Sequence, residues 1–144
     1  MDPVAALIER HHGVTGEELR VSGVAISTIA AAQGTPLYVY DAALLDRQWP
    51  RLRDALPHEF QIYYSVKANP TAAIIGRFLG HGCGLEVASV GEFARAVRAG
   101  GAPEHIVFAG PGKTDAELEI VLKQHIGEIH AESLREIDRI IAIG

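Results

Sequence analysis

The sequence has 144 residues, 48% of them hydrophobic and 22% charged, which is the composition of a soluble globular domain and excludes a disordered tail. A formal net charge of -5 provides no basic field for nucleic acid or an anionic membrane, and a single cysteine cannot form an internal disulfide. We therefore expect a cytoplasmic protein with no nucleic-acid or membrane partner, too short for a complete (β/α)8 barrel of about 250 residues.

The first 41 residues predict short elements. Residues 19–26 alternate weakly around a Ser-Gly pair, which is typical of a short strand or hairpin. Ser27 is a candidate cap for an Ala-rich helix that Gly34 closes. Residues 36–40 are rich in strand-forming residues, and they end at Asp41, a good N-cap for a following helix.

Residues 42–56 predict an amphipathic helix, because apolar positions recur there at helical spacing. These positions are Leu45, Trp49, Leu52 and Leu56. Pro50 predicts a kink or a restart inside the helix, and Pro57 ends it.

From residue 61 onward the pattern becomes a regular repeat. Four short apolar runs occupy residues 61–66, 85–88, 105–109 and 128–131. A helical pattern follows each run, and the runs recur at intervals of 23, 21 and 22 residues. Such alternation predicts parallel strands joined by right-handed crossovers. A closed barrel and an open doubly wound sheet share this local pattern, so both remain possible on spacing alone.

Three helix starts support this register. Each has a hydroxyl residue three positions before a glutamate, just after a predicted strand: Ser89 with Glu92, Thr114 with Glu117, and Ser133 with Glu136. This arrangement predicts capping boxes that satisfy free N–H groups.

Lys67 has the sequence context that is most informative about chemistry. It ends an apolar strand, and Asn69-Pro70 turns the chain into the next helix. Its amine is therefore expected at the carboxyl ends of the strands, where βα loops build active sites. Partial burial would lower the pKa of this amine and suit it to a Schiff base, while a lysine that merely reaches solvent is the alternative. By the period of two, Ser65 faces the same side.

The remaining polar residues predict no metal site. His11 and His12 do not share a helix face, and His81 and Cys83 lie in a Gly-rich turn without further ligands at zinc spacing. Cys83 has no basic neighbour in sequence, so a small buried thiol is expected.

Residues 110–114 mimic the end of a phosphate-binding P-loop. At the place of that motif's first glycine, however, the sequence has Val107 inside a predicted strand. Nucleotide binding is therefore disfavoured, and Lys113 is expected to be a solvated loop lysine or to face the mouth of an active site.

Four motifs in register carry a family resemblance. They are Tyr-Ser-Val-Lys-Ala-Asn at 64–69 after Thr-Pro-Leu-Tyr-Val-Tyr-Asp at 35–41, Gly-Leu-Glu-Val-Ala-Ser-Val-Gly-Glu-Phe at 84–93, His-Ile-Val-Phe-Ala-Gly-Pro-Gly-Lys-Thr at 105–114, and Ala-Glu-Ser at 131–133. The chain from about residue 33 onward resembles the pyridoxal-phosphate-dependent decarboxylases of the alanine-racemase-like fold, which include diaminopimelate and ornithine decarboxylases.

The resemblance implies an α/β fold class. Residues 42–144 would be the first four βα units, the N-terminal half of a (β/α)8 barrel. Residues 1–41 would contribute strands to a second β-domain of the full family. Four units cannot close a barrel, so we expect the N-terminal part of a larger protein that is inactive by itself.

The resemblance also implies the site. Lys67 holds pyridoxal 5'-phosphate as an internal aldimine, from which an amino acid loses its α-carboxylate as carbon dioxide. Glu86 matches an acidic position near this lysine, where the family is expected to have the shorter aspartate. Glu92 matches another acidic position near the cofactor, although helix capping explains it equally well. Ser65 lines the cofactor pocket or fills the core.

More than one function is compatible with these motifs. Residues 110–113 and 130–133 are closer to relatives that decarboxylate a glutamyl group tethered to an acyl-carrier protein than to diaminopimelate decarboxylases. A non-catalytic pyridoxal-phosphate-binding protein and an amino-acid racemase also stay possible, and the predicted strands in residues 19–41 favour a decarboxylase. The family further implies a homodimer, with a catalytic cysteine much later in the chain, so Cys83 does not take that role.

Overall fold

Two units make up the chain in the computed structural model, Met1–Leu56 and Pro57–Gly144, and the residues described are 2–16 and 18–144. The elements of the first unit are α1 (Pro3–His11), β1 (Gly13–Thr15), β2 (Glu18–Val21), β3 (Val24–Ala25), α2 (Ile26–Gln33) and α3 (Ala42–Asp54). The three strands form an antiparallel sheet in the order β1-β2-β3.

The predicted hairpin is confirmed. It consists of β2 and β3, in which Arg20 is the register partner of Ala25. Ser22 and Gly23 form the turn with φ of 48° and 82°, and two positive φ values suit the right-handed twist of a tight hairpin. The sequence analysis missed α1, although Asp2 caps it by accepting a hydrogen bond from the Val4 N–H.

Two predictions in this unit are wrong. Ser27 does not cap α2, because the chain passes from β3 directly into the helix, Ala25 occupies the N-cap, and the Ser27 hydroxyl bonds to the Glu18 carboxylate. Residues 36–40 form no strand, because no described strand pairs with them. Tyr38 is 94% exposed there, and strand propensity has little effect without packing or pairing.

The helix predicted at residues 42–56 is confirmed as α3. Asp41 caps it, as expected, by accepting hydrogen bonds from the Ala43 and Leu44 N–H groups. Pro50 lies inside the helix, which continues through it from Ala42 to Asp54 without a restart.

The second unit contains the predicted βα repeat. Its elements are β4 (Tyr63–Ser65), α4 (Ala72–Gly80), β5 (Gly84–Val87), α5 (Val90–Arg98), β6 (Ile106–Phe108), α6 (Asp115–Lys123), β7 (Glu128–Ile129) and α7 (Leu134–Ile143), with 3₁₀ turns at Val66–Ala68 and Pro103–His105. All four strands are parallel, so the repeat is confirmed.

The strand order separates the two architectures that spacing left open. The sheet has the order β4-β5-β6-β7 without reversal, whereas an open doubly wound sheet reverses at a switch point. Right-handed crossovers in a constant direction place the connecting helices on one face, as in a barrel.

One face of this sheet packs against the helices and forms the core. The core residues are Val66, Ile75, Leu85, Val87, Phe93, Ala96, Ile106, Phe108 and Val121. Alternating residues point to the other side, which we call the opposite face and define by the register row Ser65, Glu86, Val107 and Glu128. A polar row on this face is where chemistry can be placed.

The predicted domain boundary after Asp41 stays a prediction. The first unit ends at Leu56 and includes α3. This division describes how the chain packs, and it does not test whether residues 1–41 belong to a β-domain.

Candidate active site

The structure brings together two of the predicted site residues on the opposite face. Ser65 of β4 and Glu86 of β5 are direct register partners, and neighbouring strands lie about 4.8 Å apart. Lys67 follows Ser65 by two residues and lies in the 3₁₀ turn Val66–Ala68, not in the strand as predicted. The strand ends early because Val66 turns into the core, where it is completely buried.

Ser65 has a buried hydroxyl without a hydrogen-bond partner in the structure. A buried polar group that lacks a partner costs free energy, so most such groups in folded proteins are paired. The Ser65 Oγ therefore marks a position at which a polar atom of a ligand would be stabilised.

Lys67 differs from the other two lysines of the sequence, Lys113 and Lys123. Its side chain is exposed, so the predicted partial burial is wrong: Lys67 lies in the 3₁₀ turn beyond the end of the strand, where little covers it. Within the described residues it has no hydrogen bond or ion pair, whereas Lys123 pairs with Glu119 at 3.3 Å. Among the described residues, the Lys67 amine is thus exposed and has no hydrogen bond or ion pair to break before it could bind a ligand.

Glu86 is half-buried on the opposite face. It is the register partner of Ser65, so the two side chains belong to neighbouring positions on the same face. Its role as a cofactor ligand stays a prediction.

Glu92 is engaged at the start of α5. Its N–H donates to the Ser89 hydroxyl at 3.2 Å, and its carboxylate accepts from the Ala88 N–H at 2.8 Å. The predicted capping box is thus corrected in one detail: the carboxylate reaches the residue before the cap, because that N–H is also free at the helix start. A role near the cofactor stays a prediction for Glu92.

The capping box at Thr114 and Glu117 is confirmed with both reciprocal hydrogen bonds. The Thr114 N–H, the Val90 N–H and the Thr114 hydroxyl donate to the Glu117 carboxylate and hold its pKa below the ordinary value, against the effect of burial. At α7 the Ser133 hydroxyl accepts from the Glu136 N–H, but the Glu136 carboxylate again reaches the residue before the cap, Glu132.

The expectation for Lys113 is wrong. Its residue is only 4% exposed, and its ammonium donates to the Gly110 carbonyl at 2.6 Å and the His130 carbonyl at 2.7 Å. It also forms an ion pair of 3.1 Å with the buried Glu136. The cause is a tight loop after β6, which folds the side chain back under the neighbouring strand end.

The Lys113 contacts also count against the P-loop interpretation. A P-loop lysine must reach a nucleotide phosphate, whereas this ammonium is already saturated by two carbonyls and a carboxylate.

Sequence reasoning missed Glu132 and Glu136 as members of this cluster. The signal was present in α7, where Glu136 shares a helical stripe with Ile140 and Ile143. A charged residue at an apolar stripe position indicates a buried partner.

Cys83 lies away from these groups, just before β5 begins. It is buried, and burial raises the pKa of its thiol to about 11. The prediction of a small buried thiol is confirmed. The structure groups no three His, Cys, Asp or Glu side chains of residues 2–16 and 18–144 in a way that could hold a metal ion. Across the same described ranges, no helix has the length and apolar character needed to cross a membrane.

Comparison with known proteins points to one family. A diaminopimelate decarboxylase from Zymomonas mobilis is 40% identical over 129 residues, covering 87% of this chain and 31% of that protein. The L-glutamyl-(BtrI acyl-carrier protein) decarboxylase of Niallia circulans is 42% identical over 103 residues, covering 72% of this chain and 24% of that protein.

A solved structure agrees. The crystal structure of diaminopimelate decarboxylase from Helicobacter pylori complexed with L-lysine superposes with a TM-score of 0.74 at 30% identity, covering 82% of this chain and 30% of that one. The chain thus spans less than a third of the length of these proteins. Residues 42–143 match the family model of the pyridoxal-dependent decarboxylases, pyridoxal binding domain, and the chain therefore belongs to that family, whose cofactor is pyridoxal phosphate.

Proposed function

We propose that this chain carries the cofactor lysine of a decarboxylase that removes the α-carboxylate of an amino acid, and that Lys67 is that lysine. The observation that supports this most directly is the contrast among the three lysines. Lys67 is exposed and uncommitted beside the end of β4, Lys113 is buried in an ion pair, and Lys123 lies on the helix surface.

The residues on the opposite face fit pyridoxal phosphate. Its aldehyde requires an accessible amine, which Lys67 provides. Its ring substituents require polar partners, and the Ser65 hydroxyl is buried without one. When bound, pyridoxal phosphate supplies the electron sink for the electron pair that remains on the α-carbon when carbon dioxide leaves.

The side chains of this chain have four tasks in that site. The Lys67 amine holds the cofactor, and the Ser65 hydroxyl donates a hydrogen bond to it or to the substrate. The Glu86 carboxylate lies next to Ser65 and can accept a proton or pair with a cation there. Val107, which is 5% exposed in the same row, contributes an apolar wall that excludes water.

Attachment is tested by mixing the protein with pyridoxal phosphate, recording the visible absorption band, reducing with borohydride and mapping the labelled lysine by mass spectrometry. We expect the label on Lys67. Lys67→Ala should abolish both the band and the label, and Lys123→Ala, the matched control at an exposed lysine, should retain both. A label on Lys113 or Lys123 in the unaltered protein would exclude the assignment.

The substrate class has two candidates. Decarboxylation of free diaminopimelate is supported by the relative from Zymomonas mobilis. A glutamyl group on an acyl-carrier protein is supported by the relative from Niallia circulans and by residues 110–113 and 130–133, which depart from the pattern expected of diaminopimelate decarboxylases.

Carbon dioxide release decides between them. The protein in its natural length is incubated separately with diaminopimelate, ornithine, lysine and a carrier-bound glutamate, and the rates are compared. We expect release from diaminopimelate. Release from the carrier-bound glutamate alone would favour the second candidate, racemisation without carbon dioxide would indicate a racemase, and no turnover would indicate a cofactor-binding protein. We also propose, on family resemblance alone, that the protein is a cytoplasmic homodimer. Light scattering of the natural-length protein measures its mass and so tests whether it is a dimer.

A further inference from the structure

A closed ring of hydrogen bonds joins the loops that follow β6 and β7. The Lys113 ammonium binds the Gly110 carbonyl and the Glu136 carboxylate, at 2.6 and 3.1 Å. The second Glu136 oxygen accepts from the Glu132 N–H at 2.8 Å, and the Glu132 carboxylate accepts from the Gly110 N–H at 3.1 Å. These four residues connect two loops that are 22 residues apart. We call them the buried ring after the buried pair Lys113 and Glu136; Gly110 is half-buried and Glu132 is exposed.

The ring has one well-determined geometry, because its central charges are saturated. A lysine ammonium has three donors, and here they serve the Gly110 carbonyl, the His130 carbonyl and the Glu136 carboxylate. Both Lys113 and Glu136 are 4% exposed. A buried ion pair with all its hydrogen bonds made contributes little net stability but strongly disfavours other arrangements, since opening it would leave a buried charge.

The position of the ring gives it a role beyond packing. Gly110 and His130 lie just beyond the carboxyl ends of β6 and β7, the same end of the sheet at which Lys67 follows β4. Gly110 has φ of 105°, a conformation that only glycine adopts readily, and both its N–H and its carbonyl belong to the ring. The ring therefore fixes the backbone of the loops that border the opposite face.

We propose that Lys113 is a positioning residue for the cofactor site: through the buried ring it fixes the loops after β6 and β7, without touching the cofactor. This inference rests on the proposed function of Lys67. If Lys113 has this role, loss of the ring should make the loops after β6 and β7 more mobile before it unfolds the chain. Displacing a loop that borders a reaction site by about 1 Å can lower the reaction rate by up to about 100-fold.

The first test is Lys113→Met, which keeps most of the length of the side chain and removes its charge. We expect a folded protein by circular dichroism at low temperature. Hydrogen exchange at the Gly110 and Glu132 N–H groups should accelerate by about ten-fold or more. The Glu136 carboxylate that accepts from the Glu132 N–H loses its Lys113 partner, and the Gly110 peptide loses the Lys113 hydrogen bond to its carbonyl. Attachment of pyridoxal phosphate to Lys67, followed by borohydride trapping, should require about ten-fold more cofactor.

A second variant, Glu136→Gln, separates the two functions of the carboxylate. The two oxygens of Glu136 accept separately, one from Lys113 and the other from the Glu132 N–H, and the amide replaces one of them with an NH2 donor that would face a donor. Exchange at Glu132 and the cofactor requirement should therefore lie between those of the unaltered protein and Lys113→Met.

Two controls separate positioning from general stability. Lys123→Met makes the same substitution at an exposed lysine of α6 and should change neither exchange nor attachment. Val121→Ala removes core volume from α6 and lowers the unfolding temperature without touching the ring. If Val121→Ala raises the cofactor requirement as much as Lys113→Met does at the same fraction folded, the positioning role is excluded.

The exchange measurement keeps this inference distinct from the proposed function. If the unaltered protein never binds pyridoxal phosphate at Lys67, the proposed function fails while faster exchange at Gly110 in Lys113→Met still supports the ring as the element that fixes these loops. Unchanged exchange and unchanged attachment in Lys113→Met would overturn the inference even if Lys67 is the cofactor lysine.

Discussion

Burial distinguishes Lys67 from Lys113 more sharply than sequence context does. Each follows a strand by two to five residues near a turn, and each is a candidate for a site-facing amine on sequence grounds. The exposed lysine is free to react, whereas the buried one is bound by three acceptors. The two lysines therefore differ in exposure and in hydrogen bonding, and the loop that follows each strand sets that difference.

Glu117 gives the second unit a pH dependence at the scale of one residue. Its pKa lies below the ordinary value of 4.5, so the unfolded chain binds this proton more readily than the folded one. The stabilisation is present above pH 4.5 and is lost as the pH falls through the lowered pKa. Urea unfolding at a series of pH values should show that the free energy of unfolding declines as the pH falls below 4.5. The decline should be less steep in Glu117→Gln. Equal slopes for the two proteins would contradict this.

Sequence reasoning was most reliable where one residue determines a local structure by its own chemistry. Asp41, Ser89, Thr114 and Ser133 all occupy N-caps, and each side chain accepts a hydrogen bond from the first turn of its helix as expected. Among these four caps, the reciprocal glutamate hydrogen bond of a full capping box forms only at Thr114. Ser27 failed because a strand runs directly into its helix, a tertiary circumstance that leaves no mark on the local pattern. The unpaired Ser65 hydroxyl and the saturated Lys113 ammonium depend on neighbours distant in sequence and could not be predicted.

At the scale of elements, Gly127 lies just before β7 and packs closely against the 3₁₀ turn at Pro103–His105. Its N–H donates to the Pro103 carbonyl at 2.9 Å, and a Cβ at this position would overlap the Glu104 carbonyl. The backbone cannot move aside there without breaking the entry into the last strand. Gly76, by contrast, lies in the middle of α4 with no atom near the place of a Cβ.

These two glycines predict opposite effects of the same substitution. Gly127→Ala should lower the unfolding free energy by about 1–3 kcal/mol through overpacking. Gly76→Ala should raise it by about 0.5–1 kcal/mol, because alanine favours the helix. Urea denaturation of the two variants beside the unaltered protein provides the measurement. A stabilising Gly127→Ala would show that the turn does not pack against β7 as described.

The periodic spacing of the strands made the βα repeat predictable, because crossover length is a local property of the sequence. The strand segment expected at residues 36–40 was not, because a strand exists only with a partner to pair with. Tyr38 and Tyr40 are 94% and 58% exposed there, although their residue types favour strands. The elements of the second unit thus follow from pattern, and those of the first depend on context.

At the scale of the whole molecule, the parallel sheet has two edge strands among the described residues. Each of β4 and β7 pairs with a single neighbour in this sheet, and edge strands can template pairing with another chain. The 144-residue chain should therefore self-associate increasingly as its concentration rises, as measured by sedimentation velocity.

An edge-blocking variant sharpens that measurement. Tyr63 is 38% exposed on β4, and Tyr63→Lys places a charge on this edge strand, which opposes pairing between edges. We expect less association in this variant. A chain that stays monomeric at every concentration, with or without the substitution, would contradict the prediction.

The constant direction of the strand order also determines how this sheet can assemble in time. Every strand pairs with the next one along the chain, so no pairing waits for a distant segment to be synthesised. Parallel pairing across such crossovers is slower than hairpin pairing, but domains fold from the N-terminus during synthesis, so each pairing needs only the unit made just before it. Each βα unit can pack against the unit before it as it leaves the ribosome. Strand β4, which precedes Lys67, is made first, and the later strands of the sheet add to it in order.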